Sequence, residues 1–260
     1  MVTYIYGQTL GCFLLFLIQI ILVCADNGSC DADRCVSEEK GMASQAVVIY
    51  DESKISPFHK PNRKFLFVGK ELVIKQDWEG LGIAAVVWDA AVVLCEYLEK
   101  NKDIVNGKLI IELGAGSGIV GIVAALLGGK VTITDLDEAL DYINEVVDDN
   151  IKSIPGLEVR VQSLDWTKDW PDYSADYDIV LGADIIYIEE LFDDLLKTFL
   201  QVCHENTKVL LSWRYRYDRD KQFLEMMRQH FTLEEIFYDS SRDVKIYLGK
   251  LIQKNKEKVK

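Results

Sequence analysis

The sequence predicts an α/β protein whose mostly parallel sheet is covered by helices on both faces. Residues 109–113 and 131–134 are short apolar runs, joined by a glycine-rich turn and an apolar segment of helix length. After them, strand and helix patterns continue to alternate. The alternation ends with two predicted strands that have no helix between them, at 231–238 and 244–251. This order indicates repeated βαβ units followed by an antiparallel hairpin.

Two elements precede the glycine turn. Residues 65–68 and 71–75 are two short runs rich in aromatic and β-branched side chains, separated by Gly69-Lys70, which predicts a β-hairpin. Residues 83–98 are densely apolar and predict one largely buried helix that ends near Asn101.

The elements after the turn are recognised by apolar periodicity bounded by polar or turn residues. The sequence predicts helices at 137–150, 190–203 and 218–230, and strands at 159–163, 177–187 and 208–212. The carboxyl ends of parallel strands form one edge of the sheet, where ligands of such folds bind. The glycine turn, Asp135, Trp166 and the pair Ala183-Asp184 all fall at that edge.

Composition excludes some functions. The chain has 260 residues and a net charge of −13, so a nucleic acid bound through a broad basic face is not expected. The basic and aromatic run 214–219 is interpreted as a solvated junction between a strand and a helix. Cys95 and Cys203 lie in apolar contexts typical of reduced core cysteines, and Cys30 and Cys35 lack the spacing of a zinc site.

Residues 1–41 differ from the rest of the chain. Residues 10–23 are apolar, which is too short for a comfortable membrane span and fits a signal peptide, although no Lys or Arg precedes them. The extension is either a leader or the product of an upstream start, and disorder is predicted after its apolar part. We therefore expect an extension at 1–41, a catalytic domain at 42–251 and a lysine-rich tail at 252–260.

The glycine turn has two interpretations. Gly116-Ser-Gly118-Ile-Val-Gly121 matches the dinucleotide fingerprint G-x-G-x-x-G, which favours a nicotinamide cofactor. That match is weak by itself, and here an acid precedes the first glycine. The longer string Glu112-Leu-Gly-Ala-Gly-Ser-Gly resembles the first motif of class I S-adenosylmethionine (AdoMet) methyltransferases. Glycines suit either ligand because a Cβ would block close contact with the backbone.

Several further motifs resemble the seven-strand protein-lysine methyltransferases. They are Ala-Ala-Val-Val-Trp88-Asp, Val-Thr-Ile-Thr-Asp135, Leu164-Asp-Trp166 and Gly-Ala-Asp184-Ile-Ile-Tyr187. The closest resemblance is to the member that modifies DnaK-class heat-shock chaperones, and it covers residues 42–247. It implies the class I, Rossmann-like fold, with a seven-stranded sheet, helices on both faces and an N-terminal β-hairpin.

The resemblance also implies a site. The residues expected to bind AdoMet are Trp88, Glu112, Gly114, Ala115, Gly116, Asp135, Trp166 and Ala183. Asp135 would accept hydrogen bonds from the ribose, and Glu112 has an equal structural alternative, holding loop amides or a helix start. Asp184 is expected to orient the substrate ammonium and Tyr187 to line the lysine channel. Their structural alternatives are a helix N-cap and a half-buried tyrosine.

The predicted function is therefore AdoMet-dependent methylation of lysine in a protein, expected to be a DnaK-class chaperone in the cytoplasm, without a metal or nucleic acid. A membrane or secretory location is expected only if residues 1–25 act as an anchor or signal. The alternatives are another protein or a small molecule as acceptor, an NAD-linked oxidoreductase, and a non-catalytic module that binds AdoMet.

Overall fold

A computed structural model describes residues 56–168 and 173–253 of the chain. The predicted N-terminal extension, the beginning of the predicted catalytic domain and most of the lysine-rich tail lie outside the described residues. Within the described part, no helix is both long and apolar enough to cross a membrane.

In the described residues, nine strands form two sheets. They are β1 Asn62–Phe67, β2 Lys70–Lys75, β3 Leu109–Leu113, β4 Lys130–Asp135, β5 Glu158–Ser163, β6 Ile179–Ala183, β7 Lys208–Arg214, β8 Phe231–Asp239 and β9 Val244–Leu251. The first two form the predicted hairpin. The other seven form one sheet in the order β5-β4-β3-β6-β7-β9-β8, in which β9 is antiparallel to both of its neighbours and the remaining pairs are parallel. This confirms the predicted fold class.

Helices cover both faces of the large sheet. They are α1 Asp89–Lys100, α2 Ile119–Leu126, α3 Asp137–Ile151, α4 Phe192–Val202 and α5 Asp218–Arg228. Alternate side chains of a strand point to opposite faces, so Ile110 of β3 packs in the core formed with α1, α2 and α3, whereas Ile111 packs in the core formed with α4 and α5. The strand order reverses between β3 and β6, which opens a crevice at their carboxyl ends.

The single helix predicted for residues 83–98 is wrong in its first part. Gly82–Ala85 forms a short 3-10 helix, the backbone then becomes extended, and α1 begins only at Asp89. The cause is tertiary. Gln76 Oε1 accepts the Val87 N–H over 3.0 Å, and Arg63 Nη1 donates to the Val87 carbonyl over 2.6 Å. These side chains replace the bonds that a continuous helix would make at this residue.

The strand predicted for 177–187 is also shorter than expected. β6 ends at Ala183, because Asp184 has a φ of 57°, a left-handed conformation that interrupts the strand. In the next helix, α4, the buried face includes Phe192 and Phe199, whereas Leu200 is 36% exposed. Cys95 and Cys203 are buried free thiols, as predicted.

Candidate active site

Apart from Trp88, which precedes α1, the predicted site residues lie at the carboxyl ends of β3, β4 and β6 and in the loops that follow β3, β5 and β6. The Leu164 N–H donates to the Asp135 carbonyl over 2.8 Å, which ties the loop carrying Trp166 to the end of β4. The Ala115 N–H donates to the Thr134 carbonyl over 3.0 Å, which ties the glycine turn to the same strand. The sheet edge is therefore one connected backbone surface.

The glycine turn needs its glycines. Gly114, Gly116 and Gly118 have φ values of 57°, 53° and 70°, in the region that L side chains rarely adopt. A Cβ on Gly114 would lie 2.9 Å from Ile185 Cγ2 and 3.1 Å from Trp166 Cζ2. A Cβ on Gly116 would lie 2.8 Å from the Ala84 carbonyl oxygen. The turn is thus packed between the loop after β6, the Trp166 ring and the 3-10 helix before α1.

Asp135 is fixed by two backbone amides. Its Oδ2 accepts the Gly116 N–H over 2.7 Å, and its Oδ1 accepts the Leu136 N–H over 2.8 Å. Burial raises the pKa of Asp135, and the two amide bonds oppose that rise. A carboxylate has about four acceptor positions, so each oxygen retains one for another donor. This arrangement fits the two hydroxyls of a ribose.

Glu112 lies behind the turn and is only 2% exposed. Its Oε2 accepts the N–H of Gly121, in the first turn of α2, over 2.9 Å. Burial raises the pKa of Glu112 to about 8, with the Gly121 bond opposing the rise and the charge of Asp135 adding to it. The contact corresponds to the structural alternative for Glu112, a side-chain carboxyl group that holds a helix start.

Two tryptophans border the edge. The Trp166 ring lies against Gly114, as the distances above show. Trp88 is half-buried at the N-cap of α1, and its Nε1 donates to the Ile83 carbonyl over 3.0 Å. The ring of Phe58 lies 5.0 Å from that of Trp88, a neighbour that sequence reasoning missed.

The segment that carries Phe58 is held by Gln76. The Nε2 of this buried side chain donates to the carbonyls of Pro57 and Lys60, over 2.8 Å each, while its Oε1 binds Val87 next to Trp88. No local sequence signal links these segments, because the contacts span 11 to 19 residues.

Asp184 forms an ion pair that the sequence did not predict. Arg216 Nη1 lies 2.8 Å from Asp184 Oδ1 and Nη2 lies 2.9 Å from Oδ2, so the pair is bidentate. The Arg216 guanidinium carbon is 6.0 Å from the centre of the Trp88 ring. The run 214–219 does join β7 to α5 and Arg216 is exposed there, as expected, but its guanidinium is also paired with Asp184. The sequence feature that could have indicated this pair is the position of the two residues. Arg216 follows β7, and Asp184 follows the neighbouring strand β6 at the same edge of the sheet.

Asp184 and Tyr187 have different surroundings. The Asp184 N–H donates to the carbonyl of Ser212 on β7 over 2.8 Å, and Asp184 is not a helix N-cap, since the next helices are preceded by Ile188 and Leu191. Tyr187 is half-buried. Its pKa is raised by burial and additionally by the charge of Asp135.

The site fits AdoMet in two respects that the structure itself provides. The fixed Asp135 carboxylate has spare acceptor positions for the ribose hydroxyls, and the Trp166 ring lies against the glycine turn as a flat apolar face for the adenine. In residues 56–168 and 173–253, no group of three or more His, Cys, Asp or Glu side chains is arranged to hold a metal ion.

Comparisons with known proteins identify the family. A family model described as lysine methyltransferase matches residues 67–230. The chain is 49% identical to protein N-lysine methyltransferase METTL21A of Xenopus tropicalis over 212 residues, which cover 80% of this chain and 98% of the relative. It is 43% identical to EEF1A lysine methyltransferase 3 of Mus musculus over 192 residues, which cover 73% and 82% of the two chains.

A solved structure adds support for the fold alone. A 16S rRNA N2 methyltransferase of T. thermophilus, in complex with AdoMet and guanosine, superposes with a TM-score of 0.54 at 15% identity, covering 74% of this chain and 50% of that one. The family match sets aside the nicotinamide alternative and the non-catalytic module. The chain belongs to the lysine methyltransferase family and is an AdoMet-dependent protein-lysine methyltransferase.

Proposed function

We propose that this enzyme methylates a lysine of a DnaK-class heat-shock chaperone, in the cytoplasm. One observation carries the catalytic part of the proposal: the motifs that resemble the chaperone-modifying member meet at a single sheet edge, around the Asp135–Gly116 bond. The chaperone as acceptor is supported by that resemblance. The relative named for EEF1A is less similar to this chain than METTL21A is, at 43% against 49% identity, which favours an acceptor other than EEF1A.

The residues that would hold AdoMet surround the glycine turn. Asp135 would accept the ribose hydroxyls, the turn at Gly114 and Gly116 would follow the donor with its backbone, and Trp166 would cover the adenine with a flat apolar face. Trp88 and Ala183 border the same crevice. When bound, AdoMet supplies a methyl group already activated on a sulfonium.

The remaining task of the protein is to present a neutral lysine nitrogen in line with that methyl group. A lysine with a pKa near 10.4 is neutral in roughly one molecule per thousand at pH 7.4, so neutralising it costs about 4 kcal/mol. Burial disfavours the charged ammonium and lowers this cost. Trp88 and Phe58, on the side of the Asp184 ion pair where Arg216 lies, and Tyr187 in the loop after β6 would provide apolar surface for that purpose.

Labelling tests the proposal. The full 260-residue chain is incubated with tritiated AdoMet and a cytosolic extract treated to remove endogenous AdoMet, and the proteins are resolved on a gel. A labelled band that immunoprecipitates as a DnaK-class chaperone, and that is lost with Asp135→Ala but kept with the exposed Asp141→Ala, is the expected result. Label that falls on elongation factor 1A instead would transfer the proposal to the acceptor named for the 43% identical relative.

Location is tested separately with a fluorescent tag on the carboxyl end of the full chain. A diffuse cytoplasmic signal is expected if the enzyme methylates a cytoplasmic DnaK-class chaperone. A reticular or secreted signal would instead favour residues 1–25 as a signal or anchor.

A further inference from the structure

We propose that Arg216 is a positioning residue that cancels the charge of Asp184, so that the acceptor lysine meets a polar site without net negative charge. The inference rests on the proposed function, in which lysine is methylated beside Asp184. It changes the expected role of Asp184, because a bare carboxylate there would bind the ammonium and thereby preserve the unreactive form.

The ion pair between Asp184 and Arg216 is bidentate, and its Asp184 side chain is buried. Both carboxylate oxygens of Asp184 bind Arg216, over 2.8 and 2.9 Å, and the Asp184 side chain is 6% exposed against 32% for Arg216. Bidentate pairs of this kind are stronger and better oriented than single contacts. The backbone on the Asp184 side is fixed by the bond from its N–H to Ser212.

The Arg216 side is fixed as well. Asp220 is buried at the start of α5, and its Oδ2 accepts the N–H groups of Arg216 and Tyr217 over 2.8 and 3.1 Å. The face of Trp88 lies beside the guanidinium. Asp184 therefore fixes the side chain and Asp220 the backbone of one arginine, with the Trp88 ring beside its guanidinium.

The net charge of the Asp184–Arg216 pair influences the pKa of an acceptor lysine beside it. A lysine can attack only after losing its proton, and a nearby unpaired carboxylate raises the pKa of a lysine by favouring its ammonium form. A guanidinium paired with that carboxylate removes most of the effect, and it stays charged throughout the working pH range. Asp184 keeps unshared lone pairs, so it can still accept a hydrogen bond from a neutral amine.

Other ionisable groups face the pair. Burial lowers the pKa of Arg216, whereas its bond to Asp184 and the charges of Asp184, Asp220 and Tyr217 raise it. Burial raises the pKa of Tyr187, in the loop after β6, and the charge of Asp135 adds to that rise. Asp220 is already engaged by two amides. These groups are unchanged in the variants below, so their influence is the same in each comparison.

The test measures kcat against pH from 6 to 10 with saturating AdoMet, using as acceptor the purified protein that the wild-type enzyme labels in the extract. The variants are Arg216→Gln, Arg216→Lys and the double variant Asp184→Asn with Arg216→Gln. Arg214→Gln, exposed at the end of β7, is the matched control. AdoMet affinity by calorimetry and the melting temperature are recorded for every variant.

In Arg216→Gln we expect the midpoint of the kcat profile to rise by about one pH unit or more, with a roughly tenfold loss of kcat at pH 7.5. Arg216→Lys keeps the charge and should stay near the wild-type midpoint. The double variant should return to it, because no uncompensated carboxylate remains. AdoMet affinity should change little, since the donor is bound by other residues.

An unshifted midpoint in Arg216→Gln would overturn the inference, and so would a raised midpoint that persists in the double variant. A lower melting temperature with an unchanged profile would make Arg216 a purely structural residue. In each case an active wild-type enzyme leaves the proposed function intact. If the wild-type enzyme labels no protein, the proposed function fails, and this inference fails with it.

Discussion

The Gly116 N–H donates to Asp135 Oδ2 over 2.7 Å, so one hydrogen bond joins the glycine turn to the acid at the end of β4. The two residues are 19 positions apart and lie on adjacent strands' carboxyl ends. The bond fixes the carboxylate before any ligand arrives, and it makes the turn and the acid a single unit. A change in either residue should therefore affect the other.

Removal of the Asp135 carboxylate should weaken AdoMet binding. Asp135→Ala loses the charged acceptor for the ribose and frees the Gly116 amide. Hydrogen bonds to charged groups contribute about 1.5–3 kcal/mol each, which corresponds to a loss of affinity of roughly 10- to 100-fold. Calorimetric titration with AdoMet measures it. Asp141→Ala, which removes an exposed acid on α3, is the control. Equal AdoMet affinities in the two variants would show that Asp135 does not bind AdoMet.

The glycine turn allows a matched pair of substitutions. Gly114→Ala places a methyl group 2.9 Å from Ile185 and 3.1 Å from Trp166, whereas Gly107→Ala, at a similar positive φ of 71°, meets nothing within 4 Å. Both incur backbone strain of about 1 kcal/mol. We expect only Gly114→Ala to reduce AdoMet affinity as well, by tenfold or more. Calorimetry and urea unfolding separate the two effects, and an identical response of both variants would argue against packing at Gly114.

The parts of this fold that could be predicted from the sequence are those determined by neighbouring residues. The strands next to the turn are short apolar runs, and Gly114 and Asp135 follow them directly, so their meeting at one edge could be predicted from the parallel order alone. The start of α1 could not, because Gln76 and Arg63 hold Val87 extended from positions 11 and 24 residues away.

The partner of Asp184 was hidden for a similar reason. Arg216 is 32 residues away, and only the register of β6 and β7, with Ala183 beside Ser212, brings the two side chains together. Charge patterns in a single sequence indicate exposure more readily than pairing. The role assigned to Asp184 remains a prediction that the Arg216 and Asp184 variants above test, and the role assigned to Tyr187 also remains a prediction.

The hairpin is attached to α3 by Asn150. Its Oδ1 accepts the Val73 N–H over 2.8 Å, and its Nδ2 donates to the Val73 carbonyl over 3.0 Å and to the Val146 carbonyl over 2.8 Å. Asn150→Ala should lower the free energy of unfolding by about 2–3 kcal/mol, because partly buried backbone groups lose their partners. Urea unfolding checks this.

Asn144→Ala is the matched control for that change. Asn144 lies on the same helix, is exposed, and makes one bond to the carbonyl four residues before it. A change within about 0.5 kcal/mol is expected for a surface substitution of this kind. Comparable losses in the two variants would mean that Asn150 does not anchor the hairpin.

Glu112 should make the stability of the protein depend on pH. Its pKa is about 8 in the folded protein and near 4.5 when unfolded, because burial disfavours the carboxylate. Between these values the unfolded chain has lost a proton that the folded protein keeps. The free energy of unfolding therefore decreases as the pH rises, by at most about 1.4 kcal/mol per pH unit, and this contribution becomes constant above pH 8.

Glu112→Gln should remove that dependence. The amide cannot ionise, and its oxygen can still accept the Gly121 N–H, so the variant should become progressively more stable than the wild type as the pH increases from 5 to 8. Urea unfolding at pH 5, 6, 7 and 8 measures the difference, with the exposed Glu79→Gln as the control. Parallel curves for wild type and Glu112→Gln would show that the folded protein accommodates Glu112 as a carboxylate, held by the amides at the start of α2.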